Sequence, residues 1–182
     1  MIENLINIDF SVAERFLNGA GSPVLDKIMI FITSLGDAGA LWIACGVILL
    51  IFKKTRTCGV ALLFSLAISF LISQLVLKEL IDRPRPFTVI KGAELLIAIP
   101  HGSSFPSAHS VTAFASAMSI FCFNKLYGSL ALVLSAVIGF SRIYLGVHFV
   151  SDVVCGAVLG IVLGFILTRM LFFKKDSEVE QK

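Results

Sequence analysis

The sequence predicts an all-α protein: a polytopic bundle of transmembrane helices, with five spans or six, preceded by a helix lying in the membrane interface. Three observations predict it. Of 182 residues, 57% are hydrophobic and only 15% charged, against about 45–50% and about 25% in soluble domains, and the mean hydropathy is +0.95. Several apolar stretches approach the ~20 residues needed to cross a bilayer. The basic residues also fall in groups between those stretches, as charges do when they sort spans by side.

The elements follow in order. Residues 3–20 read as an interfacial helix, because Leu5, Ile8, Val12, Phe16 and Leu17 recur at helical spacing, with Glu3, Asp9, Glu14 and Arg15 elsewhere. Residues 24–52 are apolar at both ends but interrupted by Gly36-Asp37-Ala38-Gly39. This stretch is a kinked or two-part element that crosses once or twice. Residues 58–77 carry no charge and form the next span. Residues 107–123, 128–144 and 153–173 supply three more, the last with Arg169 where a long side chain can snorkel to the surface. Residues 1–173 thus read as one domain, and residues 174–182 as a charged, solvated cytoplasmic tail.

With five spans, Lys53, Lys54 and Arg56 share a side with Lys125 and with Arg169, Lys174 and Lys175. The positive-inside rule puts that side in the cytoplasm and the intervening polar clusters outside. Gly156, Gly160 and Gly164, and likewise Ser65, Ser69 and Ser73, make small-residue stripes that suit close helix packing. Cys45, Cys58, Cys122 and Cys155 are scattered, with no C-x-x-C pair; they read as buried thiols, not a disulfide framework or a zinc site. Residues 1–18 lack the basic start and apolar run of a cleaved signal peptide.

Three polar clusters interrupt the apolar pattern. Ionisable residues are costly next to lipid and persist there mainly for function. The first is K-E-L-I-D-R-P-R-P at residues 78–86, where prolines on both sides of Arg85 fix the backbone path. A rigid loop bearing an arginine suits bidentate capture of a phosphate. Arg83 reads as an interfacial anchor. The second, H-G-S-S-F-P-S-A-H-S at residues 101–110, places Pro106 to begin the third span. A helix N-terminus there offers free N–H groups and a positive dipole end to a phosphate, with Ser107 adding a hydroxyl and His109 in the first turn. His101 lacks a comparable setting. The third, S-R-I-Y-L-G-V-H-F-V-S-D at residues 141–152, holds Arg142, His148 and Asp152. His148 and Asp152 lie four apart, so on a helix they share a face. A carboxylate that accepts a hydrogen bond from one imidazole nitrogen leaves the other free as nucleophile or base. Three cations, two histidines and one carboxylate are the groups that phosphoryl transfer needs without a metal or cofactor.

Taken together, the clusters resemble the signature of the type-2 phosphatidic acid phosphatase (PAP2) superfamily: K-x6-R-P, then P-S-G-H, then S-R-x5-H-x3-D. Here they read Lys78-x6-Arg85-Pro86, Pro106-Ser107-Ala108-His109 and Ser141-Arg142-x5-His148-x3-Asp152. The resemblance covers residues 78–152, with Ala108 in place of the glycine. Alanine keeps its backbone N–H and is a good helix former, so a slightly tighter pocket is expected. The resemblance implies that His148 attacks phosphorus to form a phosphohistidine, Asp152 orients it and His109 protonates the leaving oxygen. Lys78, Arg85, Ser107, Ala108 and Arg142 would hold the phosphate. It implies an integral membrane protein acting on a lipid phosphate or diphosphate in the bilayer, with no metal, no cofactor and no nucleic acid partner. The N-terminal stretch V-L-D-K-I-M-I-F-I-T at residues 24–33 is similar to small bacterial undecaprenyl-diphosphate phosphatases of that superfamily. That similarity implies conversion of undecaprenyl diphosphate to undecaprenyl phosphate and phosphate at the outer face of the plasma membrane. Phosphatidylglycerophosphate, phosphatidate and a lipid A phosphate fit the same centre. A non-catalytic phospholipid binder or transporter would use the three cations but not His109, His148 and Asp152. A vanadate-dependent haloperoxidase is disfavoured by so apolar a chain.

Overall fold

In the computed structural model, which describes residues 2–19 and 21–172, every regular element is helical. The tail at 174–182, and with it Lys174 and Lys175, lies outside the described residues, as does Phe173. Helix α1 spans Ile2–Leu17, α2 Pro23–Gly36, α3 Ala40–Ile51, α4 Arg56–Leu71, α5 Lys78–Ile81, α6 Pro86–Val89, α7 Ala108–Phe123, α8 Lys125–Tyr144 and α9 Val150–Phe172. Four stretches are long and apolar enough to cross a membrane: Pro23–Ile51, Arg56–Val89, Lys125–Tyr144 and Val150–Phe172. The remaining apolar helix, α7, has 16 residues. It packs against α4, α8 and α9, and its Val111, Ala113, Ala115 and Ala117 have no exposed surface. Its small residues meet protein rather than lipid, so α7 is the axis of the bundle.

The glycine stripe of α9 explains how close the helices come. A Cβ added at Gly160 would sit 2.4 Å from the Val111 carbonyl oxygen, and one at Gly164 2.4 Å from that of Ala115. Only hydrogen fits between these backbones, the condition small-residue stripes meet in membrane bundles. Ser65, Ser69 and Ser73 are also fully buried. Trp42, Leu62, Leu66, Ala113, Ala117 and Ile138 form the main apolar cluster. Outward-facing Val47, Ile51, Phe70, Val133, Val158 and Phe165 stay exposed, as residues in contact with lipid would.

The interruption at 36–39 is a kink within one element. Helix α2 starts at Pro23 behind an Ser22 cap that accepts from the Leu25 N–H. A single 3₁₀ turn, Asp37–Gly39, then separates it from α3, with Ala38 at φ 50° and Gly39 at φ 70°. Past Leu71, α4 widens into a π stretch, Ile72–Leu77, before α5 begins at Lys78. Such widened turns rotate the residues that follow and recur at functional sites.

Lys54, Thr55, Phe123, Asn124 and Tyr127 line one cavity, and Phe123 meets Phe172 edge-on. The basic groups around 53–56, Lys125 and the end of α9 therefore gather at one end of the bundle. The three polar clusters occupy the other.

Two expectations need correction here. Helix α7 begins at Ala108, not Pro106: Ser107 is its cap, and its Oγ accepts from the Ser110 N–H at 3.4 Å. The hydroxyl outcompetes proline for the helix start because it satisfies an otherwise free N–H. In α1, Asp9 is buried at 4% exposure along with Ala13 and Leu17, while Ile8 is half exposed. The inner face of α1 is chosen by Asp9, which finds partners inside the bundle.

Candidate active site

The polar end is assembled from four segments: the end of α4–α5 with the loop to α6, the loop at 101–107, the start of α7, and the α8–α9 junction. The first two are tied together by backbone. The Ser104 N–H donates to the Arg83 carbonyl at 2.8 Å, and the Arg83 N–H donates to Ser103 Oγ at 2.9 Å.

His148 stands in the short loop between α8 and α9, with 2% of its surface exposed. It does not share a helix face with Asp152, as the four-residue spacing suggested, because α9 begins only at Val150. Asp152 lies three residues inside that start. Its Oδ2 accepts from the Phe149 N–H at 2.9 Å, the reach-back half of a capping box. The His148 Nδ1 to Asp152 Oδ2 separation is 3.7 Å, longer than a hydrogen bond. Ser104 fills the gap: its hydroxyl donates to Asp152 Oδ2 at 2.5 Å and its oxygen lies 3.5 Å from His148 Nδ1.

On the other side of the ring, Arg85 Nη1 lies 3.4 Å from His148 Nε2. A guanidinium has only hydrogens to offer, so Nε2 presents its lone pair and the ring proton belongs on Nδ1. Burial pushes the His148 imidazole down to about 3, with Arg142 and Arg85 acting in the same direction against Asp152. The ring is therefore neutral near pH 7.

Arg85 is held by the carbonyls of Gly102 (2.9 Å), Val147 (3.0 Å) and His101 (3.1 Å). His101 takes part in the site through its backbone carbonyl. Arg142 donates to Thr33 Oγ1 at 2.6 Å, while its Nε is buried with no hydrogen-bond partner among the described residues. Lys78, Arg85 and Arg142 are each at least nine-tenths buried, and Lys78 lies within electrostatic reach of both arginines and of Asp152. Among the described residues, the carboxylates these three cations face are Asp152 and Asp37, so positive charge is in excess. Ser107 is fully buried, and its hydroxyl accepts from Ser110 Oγ at 3.1 Å. Ala108 and His109 border an apolar cavity of about 390 Å³ that opens between α3, α4 and α7 and is also lined by Gly39, Leu66 and Phe70.

Arg83 is not the interfacial anchor expected of it. Its Nη1 donates to Asp152 Oδ1 at 2.5 Å and to Ser151 Oγ at 2.7 Å, its Nη2 to Asp9 Oδ2 at 2.8 Å, and its guanidinium lies 4.2 Å over the Phe149 ring. Asp9 also accepts from the Ser151 N–H at 2.9 Å and from the Ser151 hydroxyl. Sequence reasoning missed Asp9, Arg83 and Ser104 because their side-chain partners in the site lie 44 or more residues away in the chain. The available signal was the charge of Asp9 beside the apolar stripe of α1. Among the described residues, no three His, Cys, Asp or Glu side chains cluster as metal ligands.

Comparison with known proteins finds a matching family and several relatives. The family profile described as the PAP2 superfamily matches residues 59–176. An undecaprenyl-diphosphatase of Sulfolobus acidocaldarius is 29% identical over 177 residues, covering 96% of this chain and 85% of that protein. A lipid A 4'-phosphatase of Bacteroides thetaiotaomicron is 32% identical, covering 88% and 75%. The crystal structure of a transmembrane PAP2-type phosphatidylglycerolphosphate phosphatase from Bacillus subtilis superposes with a TM-score of 0.75 at 28% identity, covering 95% of this chain and 88% of that one.

Proposed function

The chain belongs to the PAP2 superfamily and is a membrane lipid phosphatase, and from that premise we propose that it hydrolyses undecaprenyl diphosphate to undecaprenyl phosphate through a phosphohistidine on His148. The observation that carries the mechanism is the lone pair of His148 Nε2 facing Arg85, with Nδ1 turned to Ser104 and Asp152. A phosphate bound by Arg85 would lie against a neutral imidazole nitrogen, the arrangement nucleophilic attack requires.

In this reading, Arg85, Arg142 and Lys78 hold the phosphoryl oxygens. The N–H groups at the start of α7, around Ala108, add their dipole, and Ser107 fixes that turn. These fixed charges stabilise the transition state. His148 Nε2 bonds to phosphorus as the leaving oxygen departs with a proton from His109. Water then cleaves the N–P bond. Asp152, through Ser104, compensates the charge on the His148 ring. The apolar cavity beside His109 suits a substrate whose tail lies in lipid.

The likeness to named undecaprenyl-diphosphatases supports the substrate. The 0.75 TM-score match supports phosphatidylglycerophosphate as the second reading. The gathering of Lys53, Lys54, Arg56, Lys125 and Arg169 at the opposite end supports an outward-facing site in a bacterial plasma membrane.

The test is phosphate release by purified protein with EDTA present, from undecaprenyl diphosphate, phosphatidylglycerophosphate and phosphatidate. Fastest release from the diphosphate, lost in His148→Ala, is expected. Faster release from phosphatidylglycerophosphate would select the second reading. Activity lost in EDTA and restored by magnesium would overturn the assignment of charge stabilisation to Lys78, Arg85 and Arg142.

A further inference from the structure

The kink between α2 and α3 is built against His109. Asp37 Oδ1 lies 3.0 Å from His109 Nε2. A Cβ at Gly36 would fall 2.6 Å from His109 Cδ2, so glycine is what lets the kink come this close. Next in the chain, Ala38 takes φ 50° and Gly39 φ 70°. A non-glycine residue in that region is strained and persists where its surroundings fix it. One turn earlier, Thr33 accepts from Arg142. Thr33, in the last turn of α2, and Asp37, the residue that caps it, thus bring this end of α2 to two members of the catalytic cluster. The Asp37 side chain remains 63% exposed, so little of the fold depends on burying it.

We propose that Asp37 is a positioning residue for His109, holding the imidazole through Nε2–H and stabilising its protonated form, so that the proton at Nδ1 is available to a leaving oxygen. The assignment rests on the phosphatase reading above and deepens it. As the P–O bond breaks and the N–P bond to His148 forms, the leaving oxygen takes the Nδ1 proton. Nε2–H stays with Asp37, and the freed Nδ1 then accepts a proton from the water that cleaves the phosphohistidine. The charged groups facing His109 are Asp37, Arg142 and Lys78. Asp37 is the anion among them, and without it two cations oppose the imidazolium.

The consequence is selectivity by leaving group. An alkoxide, as from phosphatidate, needs the proton most. A lipid phosphate leaving from a diphosphate needs it less, and a nitrophenolate scarcely at all.

The experiment measures phosphate release from phosphatidate, undecaprenyl diphosphate and 4-nitrophenyl phosphate by wild type, Asp37→Asn and Asp37→Glu, with thermal unfolding as a check. Asp37→Asn is expected to lose about 100-fold in kcat on phosphatidate, the low end of a general acid's contribution. It should lose less on the diphosphate and about twofold or less on the aryl ester. The alkaline limb of its phosphatidate profile should move to lower pH, and Asp37→Glu should restore much of the rate. An equal loss on all three substrates, or no loss, overturns the assignment while leaving the phosphatase reading intact. Unfolding of both Asp37→Asn and Asp37→Ser marks the kink as structural and also overturns it. Folded wild type silent on all three overturns the phosphatase reading, and this assignment with it.

Discussion

His148 is enclosed and His109 stands at a rim. Around His148, Ser104, Arg85 and Asp152 are themselves held by partners from the 101–107 loop, Arg83 and the first turn of α9. His109 is 17% exposed in its side chain, faces a largely exposed Asp37, and borders the apolar cavity between α3, α4 and α7. A group that forms a bond to phosphorus gains from a fixed position, because small misplacements cost rate steeply. A group that meets the leaving oxygen must lie where the lipid arrives. Under the proposed mechanism, the two histidines therefore divide the site into a preorganised side and an access side. The glycine seam between α7 and α9 sets the distance between them, since α7 carries His109 and α9 begins beside His148.

The largest test of that division is deletion of each histidine. His148→Ala should lower phosphate release about 10⁴-fold or more whatever the leaving group. His109→Ala should cost about 10²–10⁴-fold on an alkyl ester and far less on a nitrophenyl ester. Equal losses on both esters for both variants would erase the distinction. Next comes the support of the enclosed side. Arg83→Met leaves Asp9 and Asp152 buried without their cation, and breaking a buried pair in this way costs about 3–5 kcal/mol. Its thermal midpoint should drop clearly, whereas Asp37→Asn should scarcely move it; similar midpoints would show that the two sides are equally anchored. The seam follows: Gly160→Ala forces a methyl to within 2.4 Å of the Val111 carbonyl and should cost about 1–3 kcal/mol. An unchanged midpoint would mean that α7 and α9 can separate freely.

A smaller effect concerns pH. Burial holds His148 to about 3, below its unfolded value of about 6.5. The unfolded chain therefore binds more protons between those values, and stability due to this group is full above pH ~6.5 and is lost as pH falls toward 3. The acid limb of kcat/KM should accordingly lie below 6.5; a limb at or above 6.5 would show that the ring is not buried as a neutral base. Least of all, Ala108→Gly should change activity by about threefold or less, since alanine retains its backbone N–H. A rise from near zero would show that Ala108 blocks the site.

The motif residues were legible because phosphate chemistry needs scarce residue types, and an apolar chain makes each ionisable one conspicuous. Lys78, Arg85, Arg142, His109, His148 and Asp152 stood out for that reason, and the structure gathers them at one end. The kink at 36–39 was legible too, as two glycines and an aspartate inside an apolar run. Arg83 was misread because a basic residue at a span end has a common alternative explanation. Its partners, Asp9 and Ser151, lie 74 and 68 residues away. For Asp9, the apolar stripe gave the wrong inner face: an ion pair inside the bundle outweighs the placement of one isoleucine. The His148–Asp152 spacing suggested a shared helix face, but the helix begins between them, because the Asp152 carboxylate caps it.

By itself, the sequence determined the helical class, the membrane setting, the order of the spans and the residues fit for phosphoryl transfer, because these follow from composition, periodicity and local chemistry. Only the tertiary structure decided which nitrogen of His148 is free, that Ser104 stands between it and Asp152, and that Arg83 joins α1 to α9. It alone brought Asp37 to His109. Each of these depends on contacts between distant segments, and those are fixed by how closely the glycine-lined helices pack, not by any local pattern along the chain.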